Sequence, residues 1–131
     1  MTHLSEQIAR MAETHAAAWC AHDPAATAQL FSEDGEITVN GTTTHRGRAE
    51  LAASAAALMA TFPDLKVICN GTRHADQRAV FLWTLTGHHA ETGRFVTLPG
   101  WHEWELDADM KVCRCRGFYD AGDLARQVGL D

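Results

Sequence analysis

Two of the eight histidines in this 131-residue chain fall where the surrounding pattern turns them inward. Leu4, Ile8, Met11, His15 and Trp19 follow at steps of four, three, four and four, the spacing of one helix face, so His15 rides an apolar stripe. In Trp101-His102-Glu103-Trp104-Glu105-Leu106, strand alternation sets the glutamates on one face and His102, Trp104 and Leu106 on the other. The acidic face belongs in water, so His102 points inward. A histidine in such a place can donate a hydrogen bond to a substrate oxygen or move a proton near neutral pH. A neutral imidazole can also polarise a carbonyl when it lies close to the developing oxyanion. Each residue has a plainer reading beside this one. His15 can be a core histidine satisfied by a carbonyl or a buried water, and His102 an edge histidine at a pocket rim.

Other chemistries find little to work with. There is no His-Glu-x-x-His and no His-x-His, and adjacent His88 and His89 point to opposite faces of an extended chain. Cys113 and Cys115 share a strand face but lack Cys-x-x-Cys spacing, so the four cysteines read as small reduced side chains of the core. No serine or cysteine stands beside a histidine in a nucleophile motif, and no glycine-rich phosphate loop is present. Neither a metal nor a cofactor is expected. Asp120 ends the last strand just before a turn and helix, so it is either a proton carrier or a cap. Trp19, Trp83, Trp104 and Tyr119, with Phe31 beside them, are core residues or the walls of a cavity suited to a flat apolar ligand.

The elements that must position these residues follow from periodicity. The stripe through His15 predicts a first helix over 5–20. Asp23-Pro24 reads as an N-cap with proline at the first helical position, opening a short helix to about Phe31. Ser32–Gly35 then reads as a loop and 36–40 as a strand leading into an Asn40-Gly41 turn. After Arg46-Gly47, Leu51, Ala55, Leu58, Met59 and Phe62 mark a third helix, stopped at Phe62-Pro63. Its alanines, Ala52 to Ala57, keep its surface thin, which leaves cavity volume or permits close packing. Strands are predicted over 65–70, 78–88, 94–106 and 111–119, with Asn70-Gly71, 89–93 and 107–110 as turns and a last helix over 122–128. Helices first and consecutive antiparallel strands after imply an α+β fold with the helices on one sheet face.

A formal charge of −6 argues against nucleic acid as a partner, since phosphate binding needs a basic face. No apolar run approaches membrane-spanning length. The N-terminal residues carry no basic leader or cleavage-site pattern, so a cytoplasmic location is expected.

In order, Ala18-Trp19-x-x-His22-Asp23, Leu30-Phe31-Ser32-Glu33-Asp34-Gly35, Arg46-Gly47-Arg48, Phe62-Pro63-Asp64-Leu65, Trp83–His89 and Gly117–Leu130 cover nearly the whole chain. Their sequence and spacing resemble the SnoaL-like branch of the nuclear-transport-factor-2-like superfamily. The resemblance implies a single domain over residues 1–131 with a cystatin-like cone, N-terminal helices packed on a strongly curved, mostly antiparallel sheet around a pocket. It also implies a homodimer formed through the outer sheet face. His15 stands where ketosteroid isomerases aim a tyrosine into the pocket, and His102 where they carry an oxyanion-stabilising aspartic acid. Asp34 and Asp120 match aspartates common in the family, and His89 the histidine of a Thr-Gly-x-His pattern. Two departures matter. Thr38-Val39-Asn40 lacks the isomerases' carboxylate base, and Gly117 stands where other members carry an acid. The expected function is a cofactor-independent cyclase, isomerase or lyase acting by proton transfer on an apolar carbonyl compound. His15, His102 and Asp120 would be its proton carriers or oxyanion donors, and Trp19, Phe31, Asp34, Trp83, His89, Trp104 and Tyr119 its ligand contacts. The alternatives are a non-catalytic binder of a hydrophobic ligand and a dimerisation or partner-binding domain.

Overall fold

The computed structural model describes residues 2–130. Helix α1 (Thr2–Cys20) buries Ile8, Ala12, His15 and Ala16 along the expected stripe. At α2 (Pro24–Ala28) the Asp23 side chain accepts a hydrogen bond from Ala26 N at 3.1 Å, and Pro24 costs nothing there because its missing N–H would have been an orphan. Helix α3 (Arg48–Thr61) buries Leu51, Ala55 and Met59, and Phe62 ends it. The six strands are β1 (Phe31–Val39), β2 (Thr43–Arg46), β3 (Lys66–Ala75), β4 (Arg78–His88), β5 (Phe95–Leu106) and β6 (Val112–Tyr119), and α4 (Ala121–Val128) follows them.

The strands form one sheet in the order β2-β1-β6-β5-β4-β3, with β1 and β6 parallel and every other pair antiparallel. Helices and a mostly antiparallel sheet make the α+β fold expected from the element order. The core between them centres on Ile8, Leu65, Phe81, Val96, Trp104, Val112 and Cys115. Along β4, buried and more exposed side chains alternate without interruption, the mark of a sheet with one wet face.

Four local expectations are corrected. Helix α2 stops at Ala28, so Phe31 opens a strand instead of closing a helix. Ser32–Gly35 is part of β1, carried by a wide irregularity in which five steps along β1 match two along β6. Gly35 permits that bulge, since a Cβ there would lie 2.8 Å from the Val112 carbonyl oxygen. Strand β2, not foreseen, returns from the Asn40-Gly41 turn, where both residues adopt positive φ (50° and 70°). Asn70-Gly71 is a bulge inside β3, whose register shifts between Cys69 and Gly71 while the strand runs on to Ala75. The cysteines also differ from a uniform core reading. All four are free thiols, but Cys115 alone is buried, whereas Cys20 and Cys113 are exposed.

Candidate functional site

His15, from α1, and His102, from β5, both line one small cleft. The His15 ring, buried on α1, stands edge-on to Trp19, Phe31 and Phe81 at centroid distances of 6.2, 6.4 and 6.2 Å. Arg48 fixes the Phe31 wall by donating from Nε and Nη2 to the Phe31 carbonyl at 3.1 and 2.7 Å. Among the described residues the only side-chain hydrogen bond of His15 comes from Trp19, whose Nε1 donates to His15 Nε2 at 3.1 Å, and His15 Nδ1 is buried with no partner. Burial holds the His15 pKa down at about 3, and the neighbouring His102 would add repulsion if both were charged.

His102 lies between Phe81 and Gly117 in the β4-β5-β6 register. Its ring is edge-on to Phe81 at 6.0 Å and Trp83 at 5.6 Å, so the Phe81 ring links the two histidines. Neither ring nitrogen has a hydrogen bond among the described residues, and Nδ1 is fully covered. Burial pushes its pKa down to about 4. The residue is half-buried and lines cavity space. Gly117 makes room for it: a Cβ there would sit 3.0 Å from His102 Cδ2 and 3.1 Å from Nε2. The imidazole thus occupies the ground where a side chain at position 117 would stand.

Between the histidines is a small cleft of about 40 Å³. It adjoins a larger cavity of about 440 Å³, lined by Trp19, Trp83, His102 and Tyr119 together with Ser54 and Ala57 of α3. The thin alanine-rich face of α3 therefore does border cavity space. Among the described residues no Asp, Glu, Lys or Arg lines either space. What they offer a ligand is apolar wall, hydroxyls, imidazoles and the Trp83 indole, whose Nε1 is buried with no partner among the described residues. Such walls suit an uncharged flat molecule bearing hydrogen-bond acceptors. Among the described residues no cluster of three or more His, Cys, Asp or Glu could hold a metal ion.

A family model of the SnoaL-like domain matches residues 12–115. The chain belongs to that family. Its fold is similar to a ketosteroid-isomerase-like protein from Catenulispora acidiphila, in complex with trimethylamine (20% identity, 92% of this chain and 93% of that one, TM-score 0.84). It is also similar to a candidate SnoaL-like polyketide cyclase from Jannaschia (19% identity, 95% of each chain, TM-score 0.77). A cystatin-fold protein from Novosphingobium aromaticivorans aligns as well (14% identity, 82% of this chain and 94% of that one, TM-score 0.71). No curated protein matches the chain. The SnoaL-like resemblance and the cystatin-like α+β cone read from the sequence are therefore both correct.

Of the ten site candidates, this SnoaL-like domain brings together His15, His102, Trp19, Phe31, Trp83 and Tyr119 around the two spaces. The other four lie elsewhere. Asp120 is exposed and caps α4, accepting from Asp123 N at 2.9 Å. Asp34 is exposed on the bulged part of β1. His89 sits in the turn after β4, its ring against Phe62 at 5.6 Å and its Nδ1 accepting from Thr92 N at 3.3 Å. Trp104 is 1% exposed, packed on Phe81 at 5.5 Å in the core beneath the cavity. His88 faces away from the site, as alternation requires, and pairs with Asp64 at 2.6 Å. That hydrogen bond holds the Asp64 carboxyl below the usual carboxylate range.

Among the residues that went unnoticed in the sequence are Phe81, which stands against both imidazoles, and Ile37 and His45, which line the larger cavity. Phe81 had a readable signal, because it lies two residues before Trp83 and so shares its face. His45 had none, since β2 itself was not foreseen. Asn40, at the place of the isomerases' base, has a structural duty: its Oδ1 accepts from Tyr119 N at 3.1 Å and ties β1 to the end of β6.

Proposed function

We propose that this domain binds a planar, apolar carbonyl compound and moves a proton on it without a cofactor, as a cyclase, isomerase or lyase of the SnoaL-like kind. The observation that carries this reading is the pair of uncharged histidines that together line the small cleft, from which His102 also borders the larger cavity, with no charged side chain among the described residues lining either space. A neutral imidazole can accept a proton, and in a water-poor cavity its partner's N–H can hold the oxyanion that forms on the carbonyl. His102 is the proton carrier in this reading, because neither of its nitrogens has a hydrogen bond among the described residues, Nδ1 being buried with no partner there. His15 is the donor to the substrate oxygen. Asp120, committed to its cap, has no part. The likeness to a candidate polyketide cyclase supports the choice of substrate class.

Thermal unfolding against planar ketones, lactones, steroids and polyketide fragments tests this first. A compound at a hundred times its dissociation constant should stabilise the fold by about 2.7 kcal/mol. With a hit in hand, His102→Ala should abolish turnover while leaving most affinity. If His102→Ala only weakens binding, and no bound compound is ever converted, the domain is a ligand carrier.

We also propose that two copies pair through the outer sheet face, where Trp101 (40% exposed) stacks on Phe118 at 5.1 Å and Ile68 is 49% exposed.

A further inference from the structure

The two histidines of the cavity differ in one respect that decides what each can do. An indole nitrogen is a donor only, so the 3.1 Å contact between Trp19 Nε1 and His15 Nε2 requires His15 Nε2 to be the acceptor, free of hydrogen. A neutral imidazole carries one proton, and for His15 that leaves Nδ1. Trp19 is one helical turn beyond His15 on the same face of α1, so helix geometry itself holds donor and acceptor in register. Phe31 and Phe81 stand against the imidazole on other sides and restrict its rotation. His15 Nδ1 then presents an N–H that is buried and bonded to nothing among the described residues. An unmade hydrogen bond of that kind costs about 1–3 kcal/mol, which a ligand acceptor would recover. His102 has no such partner on either nitrogen.

We infer that Trp19 locks His15 in the tautomer protonated on Nδ1, making His15 a fixed hydrogen-bond donor and leaving His102, of the two, as the histidine free to take up and release a proton. Trp19 is on this account a positioning residue that acts through His15. The division of labour rests on the proposed proton-transfer reading; the tautomer itself does not.

The test is nuclear magnetic resonance of the ligand-free protein with ¹⁵N-labelled histidine and tryptophan, in which long-range ¹H–¹⁵N correlations report which ring nitrogen carries hydrogen. His15 should show the single pattern of a protonated Nδ1, unchanged between pH 8 and pH 5. A scalar coupling should cross the hydrogen bond from Trp19 Nε1 to His15 Nε2. His102 should show two nitrogens of intermediate character, averaged between tautomers. In Trp19→Phe the His15 pattern should shift toward that same average. Protonated Nε2 on His15, or a His15 pattern indifferent to Trp19→Phe, would overturn the lock. A single fixed tautomer at His102 would overturn the division of roles. Should Trp19→Phe fail to fold, the wild-type coupling decides alone. Because no ligand enters the measurement, a chain that binds no carbonyl compound can still show the lock, and a chain without the lock can still bind one.

Discussion

Burying an imidazole removes the water that would solvate its charged form, so His15 and His102 tie the stability of the fold to pH. Unfolded, each takes up a proton near the ordinary imidazole value of 6.5; folded, His15 does so only at about 3 and His102 at about 4. Between those values the unfolded chain binds more protons, so stability is full above 6.5 and falls as pH drops toward 4. From pH 7 to pH 5 the loss should be about 2 kcal/mol per histidine, read from urea denaturation at each pH. His15→Asn and His102→Asn should each flatten the profile, and a wild-type profile already flat across that window would show that the rings are open to water. Gly117 is the second sensitive point. In Gly117→Ala the new methyl group meets a ring already hemmed by Phe81 and Trp83, so His102 must move. Overpacking of this sort costs about 1–3 kcal/mol. Denaturation should show that cost, and titration with any hit from the ligand panel should show weakened binding. Unchanged stability and affinity would mean that His102 has room to yield.

At the scale of elements, the caps separate structural acids from chemical ones. Asp120 matches a family aspartate, yet its oxygen is spent on the first turn of α4. Asp120→Ala should cost about 1 kcal/mol, the usual loss for an N-cap. The same cost is expected for Asp23→Ala at α2. Neither change should alter the pH profile of a reaction in the cavity, and a shifted profile in Asp120→Ala alone would return that residue to the site. The elements themselves differed in how far periodicity revealed them. Helix α1 and strand β4 were readable because one face of each meets the core and the other meets solvent. Strand β2 was not, because Thr43-Thr44-His45-Arg46 has no apolar alternation to show. Asn70-Gly71 misled because a bulge and a hairpin turn call on the same residue types. Six site candidates followed from the stripe and the alternation, or from neighbouring aromatics. Asp34 and His89 rested on family position alone; the bulge of β1 leaves Asp34 exposed, and the turn after β4 sets His89 against Phe62.

At the scale of the whole molecule, the sheet has two faces with different partners. The inner face holds the cavity; the outer face divides into a charged end and an apolar end. At the charged end Glu36 lies 3.2 Å from Arg46 and 3.6 Å from Arg114, and Glu105 lies 3.7 Å from Arg114. The arginines of these pairs are more than half exposed while the glutamates are partly covered, so each pair contributes little stability. At the apolar end Trp101, Phe118 and Ile68 stand out from β5, β6 and β3, with Phe95 55% exposed beyond them. A second copy turned by a two-fold axis would set one Trp101–Phe118 stack against the other and bring aromatic anchors to the centre of the interface. Sedimentation velocity of the wild type should therefore report a dimer, and Trp101→Glu should report a monomer at the same concentration. Strand alternation places Trp101 on the face opposite its neighbour His102, so ligand affinity in the cavity should survive the change. Lost affinity together with lost dimer would mean that pairing shapes the cavity from behind the sheet. A wild type that sediments as a monomer would leave the aromatic stack without a second copy to cover it and would end the pairing proposal.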